Sequence, residues 1–373
     1  MVEFAIKTLV ADRGKMFTAL VGVVFSIVLV NIQGGLFFGL IQKASMLVDH
    51  GRADIWVGHK KIHNVDFPRD IPRRWVHRIR TIPGVAHAEP YVVGVSQMTL
   101  PSGGFEPVFV VGVDESTLMG NAWNLTQGRP EDVRKTDGVI VDELEDGKLD
   151  QPAVGDLREI NGVRARVVAK SRGVMGFLVN PYVFTTYSRA VAYTGKSPAY
   201  CSYFLVRLQP GVDEQAVCRA IRSRVPQVEA YTRDEYSRIS VNYWMTRTGL
   251  GISFGAATLL GLAVGMIVVA QTLYALVLDR LGEFATLKAI GAKEHQIVTI
   301  VLAHAILMAL AGSVIGLGIV ALAQRLFSSP RAPISISAEL AFGSCILVAV
   351  ICVISAMLPY SRIRKVDPVM VMR

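Results

Sequence analysis

The sequence has four long stretches that contain no Lys, Arg, Asp or Glu, although these residues make up 18% of the chain. The stretches are residues 16–42, 248–278, 295–324 and 340–361. A helix needs about 20 residues to cross a hydrocarbon core of about 30 Å, so each stretch is long enough to span a membrane. Helices inside soluble proteins rarely exceed about 20 residues without a charged face, which disfavours that alternative. We therefore predict four membrane-spanning helices.

Motifs for catalysis and for cofactor binding are also missing. The TGKS motif ends like a phosphate-binding loop, but the Gly required five positions before Gly195 is Ala190. Ser253 lies in a GISFG pattern, but within a predicted membrane helix instead of at a strand-to-helix turn. His59 and His63 have metal-ligand spacing, yet two residues make no site and HKKIH lacks a catalytic Glu. We predict no catalytic residue, no metal site and no bound cofactor.

Cysteine is scarce, with four residues in the chain. Cys345 and Cys352 lie seven positions apart on one side of a predicted membrane helix, so they cannot pair with each other. Cys201 and Cys218 fall on a predicted strand and on the helix after it. The sequence allows a disulfide between these two, and it also allows separate packing as small apolar side chains.

The flanks of the four stretches predict how the chain is oriented. Basic residues concentrate in the amphipathic N-terminal segment 1–15, in 279–294 and in the tail 362–373, whereas loop 325–339 has two. Because positively charged loops stay in the cytoplasm, both termini and residues 279–294 are predicted to be cytoplasmic. The first apolar stretch is longer than the roughly 7–15 residues of a signal-peptide core, so we expect a retained anchor.

Residues 43–247 then lie on the far side of the membrane. They hold 27 Lys plus Arg against 23 Asp plus Glu, too small an excess to indicate nucleic-acid binding. Apolar segments bounded by turn residues predict strands at 53–57, 107–114 and 137–143. A further segment, 157–169, contains Asn161-Gly162 and predicts a hairpin with a type I′ turn. We predict that residues 43–247 form an α+β domain with its own hydrophobic core.

Two segments of this domain resemble each other. Residues 71–92 and 212–232 both read as a basic amphipathic helix, then a Pro, then a strand that contains Val, and a strand precedes each. We predict two β-α-β units, around 53–92 and 201–232, that pair in one split domain. Residues 93–200 form a β-rich insertion between them.

Small residues recur at four-residue spacing in the predicted membrane helices. The pairs are Gly35 and Gly39, Gly251 and Gly255, Gly261 and Gly265, and Gly312 and Gly316. Glycine lets helix backbones approach closely, so these positions predict helix–helix interfaces. The interfaces lie within one chain, or a symmetric dimer supplies the partner of the second-helix glycines.

The charged segment 279–294 between the second and third helices has two unlike faces. On a helical wheel, Gly282, Ala285, Thr286 and Ala289 form a smooth face that can lie against the membrane helices. The bulky, charged face and the glycine that ends the helix comprise Arg280, Leu281, Glu283, Phe284, Leu287, Lys288, Ile290 and Gly291. The segment is either a docking helix for a cytoplasmic partner or a hairpin that rests among lipid headgroups.

The string LVLDRLGEFATLKAIGAKEHQIVTIV favours docking, because it resembles the coupling loop of the FtsX/MacB-like permeases of ABC transporters. The coupling helix of that family has an Arg, a Glu and a Leu-Lys/Arg-Ala-Ile/Leu-Gly-Ala string, which stand here at Arg280, Glu283 and 287–292. The resemblance extends over the chain, through AIKTLVADRGKM and RIRKVDPVMVMR. MIVVAQTLYA followed by EFATLKAIGA is most similar to the DevC branch.

The resemblance implies the permease of an ATP-driven exporter in the bacterial inner membrane. ATP and Mg would bind to a separate ABC ATPase, and a second permease chain, a membrane fusion protein, an outer-membrane channel and lipids would be the other partners. Two alternatives stay open. One is a mechanotransmitting scaffold that regulates a cell-wall hydrolase, and the other is extraction of haem or another lipophile from the membrane.

Overall fold

A computed structural model describes residues 13–177, 180–279, 282, 286, 294–329 and 332–364. The chain divides into two compact units. The first, the membrane unit, combines the residues up to Gly39 with those from Gly251 onward. The second, the inserted domain, is Leu40–Leu250.

The described helices are numbered in chain order. They are α1 (Arg13–Ile41), α2 (Met46–His50), α3 (Val76–Arg80), α4 (Tyr187–Thr194), α5 (Glu214–Arg224), α6 (Arg233–Arg247), α7 (Leu250–Asp279), α8 (Glu294–Phe327) and α9 (Ala338–Arg364). Short 3₁₀ turns occupy Gln42–Ser45, Arg73–Trp75, Pro130–Arg134 and Glu143–Glu145.

The described strands all lie in the inserted domain. They are β1 (Ile55–His59), β2 (Ile71–Pro72), β3 (Val85–Thr99), β4 (Phe105–Val113), β5 (Leu125–Gln127), β6 (Gly138–Asp142), β7 (Leu157–Ile160), β8 (Val163–Ser171), β9 (Tyr182–Thr186), β10 (Tyr200–Cys201), β11 (Tyr203–Leu208) and β12 (Val228–Thr232).

Four of the described helices are long and apolar enough to cross a membrane. The candidate spans are Met16–His50, Leu250–Val268, Val298–Phe327 and Ala338–Ala356. One span precedes the inserted domain and three follow it, so the predicted 1+3 arrangement around an α+β domain is confirmed.

The core of the membrane unit forms around α1. Ala19, Val23 and Ile27 on α1 are buried with side chains of α8 and α9. The partners from those two helices are Ile300, Ala305, Met308, Ala309, Val348, Cys352 and Ala356. Helix α1 therefore packs inside the bundle, whereas large side chains of α7 such as Ile252 and Leu259 are exposed.

The inserted domain contains a sheet of ten strands in the order β12-β1-β11-β3-β4-β9-β6-β8-β5, with β7 paired to β3 and β8. Its first half holds two units, β1-α3-β3 and β11-α5-β12, whose strands interleave as β12-β1-β11-β3. This is a split β-α-β arrangement. The two segments that resemble each other in sequence thus occupy equivalent places in one half-sheet.

Strand β3 joins that half to the remaining strands. Its first part pairs with β11, and residues Val92–Thr99 pair with β4. The β7–β8 hairpin turns at Asn161 and Gly162, whose φ angles of 51° and 75° fit the type I′ turn expected there. The segment between the two β-α-β units is therefore an extension of the same sheet.

The sheet is covered on both faces because alternate residues of a strand point to opposite sides. On β1, Ile55 and Val57 join a core with side chains of α3, α4 and α5. Trp56 points the other way, into a core that includes Leu47 of α2 and Tyr236 of α6. Helices α2 and α6 therefore pack on the same face of the sheet.

Candidate functional site

Helix α6 carries the chain from the sheet of the inserted domain to the last residues before α7. A capping box fixes its start: the Thr232 side chain accepts from the backbone N–H of Glu235, whose carboxylate accepts from the backbone N–H of Thr232. Along its length α6 packs against the 3₁₀ turn Gln42–Ser45 and against α2. The segments by which the chain enters and leaves the domain thus lie side by side.

Buried tyrosines fasten α6 to the loop that follows β1. The Tyr236 hydroxyl on α6 donates to the carbonyl oxygen of Asn64 at 2.8 Å. The Tyr203 hydroxyl on β11 donates to the same oxygen at 3.1 Å and to that of Val65 at 3.0 Å. Trp56 packs edge-on against the Tyr203 ring, with centroids 5.6 Å apart. Moving α6 would break buried hydrogen bonds, so helix and loop form one rigid block.

A buried carboxyl group lies near the other end of α6. The Tyr182 hydroxyl donates to Asp66 Oδ1 at 2.7 Å. Burial raises the pKa of Asp66 to about 6, and the hydrogen bond from Tyr182 partly offsets that rise. Trp244, on α6, also packs against Phe67 and Phe177. The same burial and the nearby Asp66 raise the pKa of Tyr182 well above its ordinary value.

In the membrane unit, glycines bring α7 and α8 close to α1. A Cβ at Gly261 would collide with Leu29, and one at Gly265 with Ser26. Glycines of α8 do the same on another side of α1: Gly312 faces Val23 and Gly316 faces Ile27. Each of these helices can approach α1 only because these positions lack a side chain.

The second-helix glycines therefore divide into two groups. Gly261 and Gly265 contact a helix of their own chain, so their partner in the structure is α1. Gly255 has no atom within 4 Å of the position of a Cβ, and Gly251 is half-buried. Spacing alone indicated that these positions lack side chains for a reason, but it did not indicate which helix they face.

Helix α1 is also joined to α9 and to the segment before it. The Asn31 side chain donates to Ser344 Oγ on α9 at 2.7 Å and to the Ile27 carbonyl at 2.8 Å. The backbone N–H of Ser335 donates to the Gly35 carbonyl at 2.9 Å. Polar side chains inside a membrane bundle are rare and usually serve packing or function. Asn31 was a detectable signal, since an amide side chain is unusual within an apolar stretch.

The predicted coupling residues lie outside the described part of the chain: Arg280, Leu281, Glu283, Phe284, Leu287, Lys288, Ile290 and Gly291. Of the intervening segment, Gly282 and Thr286 are described, and both are helical and exposed. The Thr286 hydroxyl donates to the Gly282 carbonyl at 2.8 Å. The prediction that this smooth face lies against the membrane helices is therefore wrong for these two residues.

The disulfide that the sequence allowed is not formed, since Cys201 and Cys218 are both free and buried. Cys201 lies on β10 and its thiol donates to the Ile71 carbonyl at 3.8 Å. Cys218 lies on the inner side of α5, among the side chains of the core on that face. Burial raises the pKa of the Cys218 thiol to about 12, and it raises that of Cys201 further. The two thiols act as small apolar groups.

The TGKS motif has a structural role at the end of α4. Gly195 caps the helix with φ of 66°, in the left-handed region that suits glycine. The Lys196 ammonium pairs with Asp70 at 2.6 Å. Among the described residues, no group of three or more His, Cys, Asp or Glu could hold a metal ion.

Two family models match the chain, and each matches a different part. The MacB-like periplasmic core domain matches residues 16–224, more than half of the chain, and the FtsX-like permease C-terminal domain matches residues 255–368. The chain therefore belongs to the FtsX/MacB-like permeases of ABC-type transporters. Members of this family work with an ATPase partner and dimerise.

Solved structures of periplasmic or extracellular domains are similar to about half of the chain. The periplasmic region of MacB from Actinobacillus actinomycetemcomitans is 12% identical over 50% of this chain and 92% of its own, with a TM-score of 0.40. The extracellular domain of the noncanonic ABC-type transporter YknZ from Gram-positive bacteria is 10% identical, over 48% and 98%, with a TM-score of 0.37. A permease-protein domain from Porphyromonas gingivalis is 17% identical, over 49% and 88%, with a TM-score of 0.33. No curated protein matches the sequence.

Proposed function

We propose that this chain is the permease subunit of an ATP-driven exporter, and that it transmits the motion of a separate ATPase to the inserted domain. The observation that carries the proposal is the rigid block of α6, where Tyr236 and Trp244 contact the loop after β1. Two residues separate α6 from α7, and one of them, Gly249, has a φ of 70°. A displacement of α7 must therefore either bend the chain at these residues or move the domain.

The partners follow from this role. ATP and Mg bind to the separate cytoplasmic ATPase, and this chain binds no cofactor of its own. Two copies of the chain form the membrane dimer in the bacterial inner membrane, with both termini in the cytoplasm. A membrane fusion protein and an outer-membrane channel receive the substrate, which the inserted domain moves outward from the membrane or the periplasm. The family assignment supports the ATPase and the second copy. The fusion protein and the channel are proposed from the resemblance to the DevC branch.

The contact with the ATPase is assigned to the charged face of residues 280–291. Glu283 lies three positions from Arg280 and four before Leu287, so the three share one helical face. Replacing Glu283 by Lys places a cation where the family has an acid. A cation that meets another positive charge at an interface costs about 2–5 kcal/mol of binding free energy. Docking should weaken while the membrane unit, whose glycines on α7 and α8 contact α1, still folds.

The test compares Glu283→Lys with Glu339→Lys, which makes the same charge change at the start of α9. Each variant is co-expressed with the candidate ATPase, purified and reconstituted in nanodiscs. Co-purification of the ATPase and the ATPase activity of the complex are then measured. We expect Glu283→Lys to lose the ATPase and Glu339→Lys to retain it. If Glu283→Lys keeps a normal complex with normal activity, the docking assignment fails and the headgroup-resting hairpin is the better interpretation.

A further inference from the structure

The loop that follows β1 presents an unbalanced set of charges. Residues 60–69, here called the basic loop, expose Lys60, Lys61 and Arg69. Their ammonium and guanidinium groups form no ion pair with a described acid. Asp66, the acid of the loop, is buried, and the next acid, Asp70, pairs with Lys196. The outer surface of the loop is therefore positive.

Contacts on its inner side hold the basic loop in place. The exposed side chains of Lys60, Lys61 and Arg69 are therefore not needed to fix its conformation. The Tyr203 and Tyr236 hydroxyls donate to loop carbonyl oxygens, and Ile62 is buried. The Asn64 side chain accepts from the backbone N–H of Phe67 at 2.8 Å. A loop that is already ordered loses little conformational entropy when a ligand binds, so this surface is preorganised.

Aromatic side chains stand beside these cations. Phe67 is 53% exposed, a high value for a large apolar side chain on a fixed loop. The Tyr243 ring of α6 lies parallel to the His63 ring, with centroids 6.4 Å apart and an interplanar angle of 10°. A cleft of about 370 Å³ lies between the loop and Tyr243. Cations mixed with exposed aromatic rings are typical of segments that lie at a membrane–water interface.

The chain itself limits how far this cleft can be from the bilayer. Tyr243 precedes the end of α6 at Arg247 by four residues, and α7 begins at Leu250. Four helical residues rise about 6 Å and three extended residues span at most about 11 Å. The cleft therefore lies within about 20 Å of the first residue of a membrane-spanning helix.

We propose that the basic loop docks on the anionic phospholipid headgroups of the bilayer that this chain spans. Lys60, Lys61 and Arg69 attract the lipid phosphates, and Phe67 with Tyr243 enters the interfacial region. Charge complementarity and the short connection to α7 favour a lipid surface over a soluble acidic partner. Because α6 is fastened to the same loop, docking would hold the base of the inserted domain at the membrane surface.

The test uses the full-length chain in nanodiscs of phosphatidylcholine alone or mixed with phosphatidylglycerol. A nitroxide on Pro68→Cys, within the loop, reports collision with oxygen, which concentrates in lipid, and with a water-soluble nickel complex. The native cysteines are buried or half-buried, and the labelled parent without Pro68→Cys corrects for any reaction there. We expect the nitroxide to be shielded from nickel in the anionic nanodiscs and exposed to it in phosphatidylcholine.

Two triple variants make the result specific. Replacing Lys60, Lys61 and Arg69 by Gln should abolish the shielding, with at least about a tenfold loss of the oxygen-to-nickel ratio. The matched control makes the same change to Gln at three exposed arginines on the opposite face of the sheet, Arg74, Arg78 and Arg224. It should leave the shielding intact. Equal nickel access in both lipid mixtures, or equal behaviour of the two triples, would overturn the proposal. Shielding in phosphatidylcholine produced by inorganic phosphate alone would overturn it as well, since the ligand would then be a soluble anion.

Discussion

Replacing Asp66 by Asn should remove a pH dependence from the stability of the inserted domain. The pKa of Asp66 is raised from 3.8 to about 6 in the folded chain because the carboxyl group is buried. A raised pKa means that the stabilising contribution is complete below pH 3.8 and is lost as the pH rises through about 6. The folded domain should therefore be less stable at pH 8 than at pH 5 on account of this group.

The size of the effect follows from the shift. About two pKa units correspond to about 3 kcal/mol over the whole titration, and about one unit of this, or about 1.4 kcal/mol, is lost between pH 5 and pH 8. For a domain of this length, a loss of about 1.4 kcal/mol moves the unfolding midpoint by roughly 3–6 °C between pH 5 and pH 8. Asn keeps an oxygen that can accept from the Tyr182 hydroxyl and it cannot ionise, so the variant should lose most of this difference between pH 5 and pH 8.

The assay is thermal unfolding in detergent, followed by tryptophan fluorescence. All four tryptophans of the chain, Trp56, Trp75, Trp123 and Trp244, lie in the inserted domain, so the signal reports that domain alone. Glu131→Gln removes an exposed acid and serves as the control for titration of the surface. The unfolding temperature of the parent and of Asp66→Asn is compared at pH 5 and pH 8. If it falls by the same amount in both proteins, burial does not control ionisation of the Asp66 carboxyl group and the reasoning is refuted.

Three further predictions concern the membrane unit and the catalytic class. Gly265→Leu should destabilise the bundle by about 1–3 kcal/mol because it overpacks the contact with α1. Gly255→Leu, at a position in open space, should unfold like the parent. Equal stability of the two variants in detergent would refute the contact between Gly265 and α1. Asn31→Ala should lower the stability by about 0.6 kcal/mol because it removes the hydrogen bond to Ser344 on α9. In a chain that already carries Ser344→Ala, the same change should have no effect. Additive losses of stability would contradict the pairing. The purified chain alone should hydrolyse no ATP, and turnover that persists after removal of contaminating ATPases would contradict this.

Features that depend on local pattern could be predicted from the sequence. The charge-free stretches identify the membrane helices, because a charged side chain in hydrocarbon is costly whatever it contacts. The turn at Asn161-Gly162 was predictable because few dipeptides tolerate two positive φ angles. The split β-α-β arrangement was detectable because its two units are similar in sequence.

Features that join distant residues could not be predicted from one sequence. Tyr236 and Asn64 are 172 positions apart, and neither residue type indicates the other as its partner. Asp66 looks like an ordinary loop acid, since only the fold buries it beneath Tyr182. The length of β3 also went unpredicted, because residues 88–93 are all buried where its partner changes from β11 to β4, so the strand shows no alternating pattern there. Tertiary packing decides all of these.

The claim that ATPase motion reaches the inserted domain is tested most directly by the distance between the two inserted domains of the dimer. A spin label on Ser223→Cys, an exposed site at the end of α5, is measured by double electron–electron resonance in the complex with the ATPase. We predict that trapping the ATPase with ATP and vanadate shifts the distance distribution, and that Glu283→Lys abolishes the shift. Identical distributions with and without trapped nucleotide, in a parent complex that hydrolyses ATP, would contradict the transmission of motion to this domain.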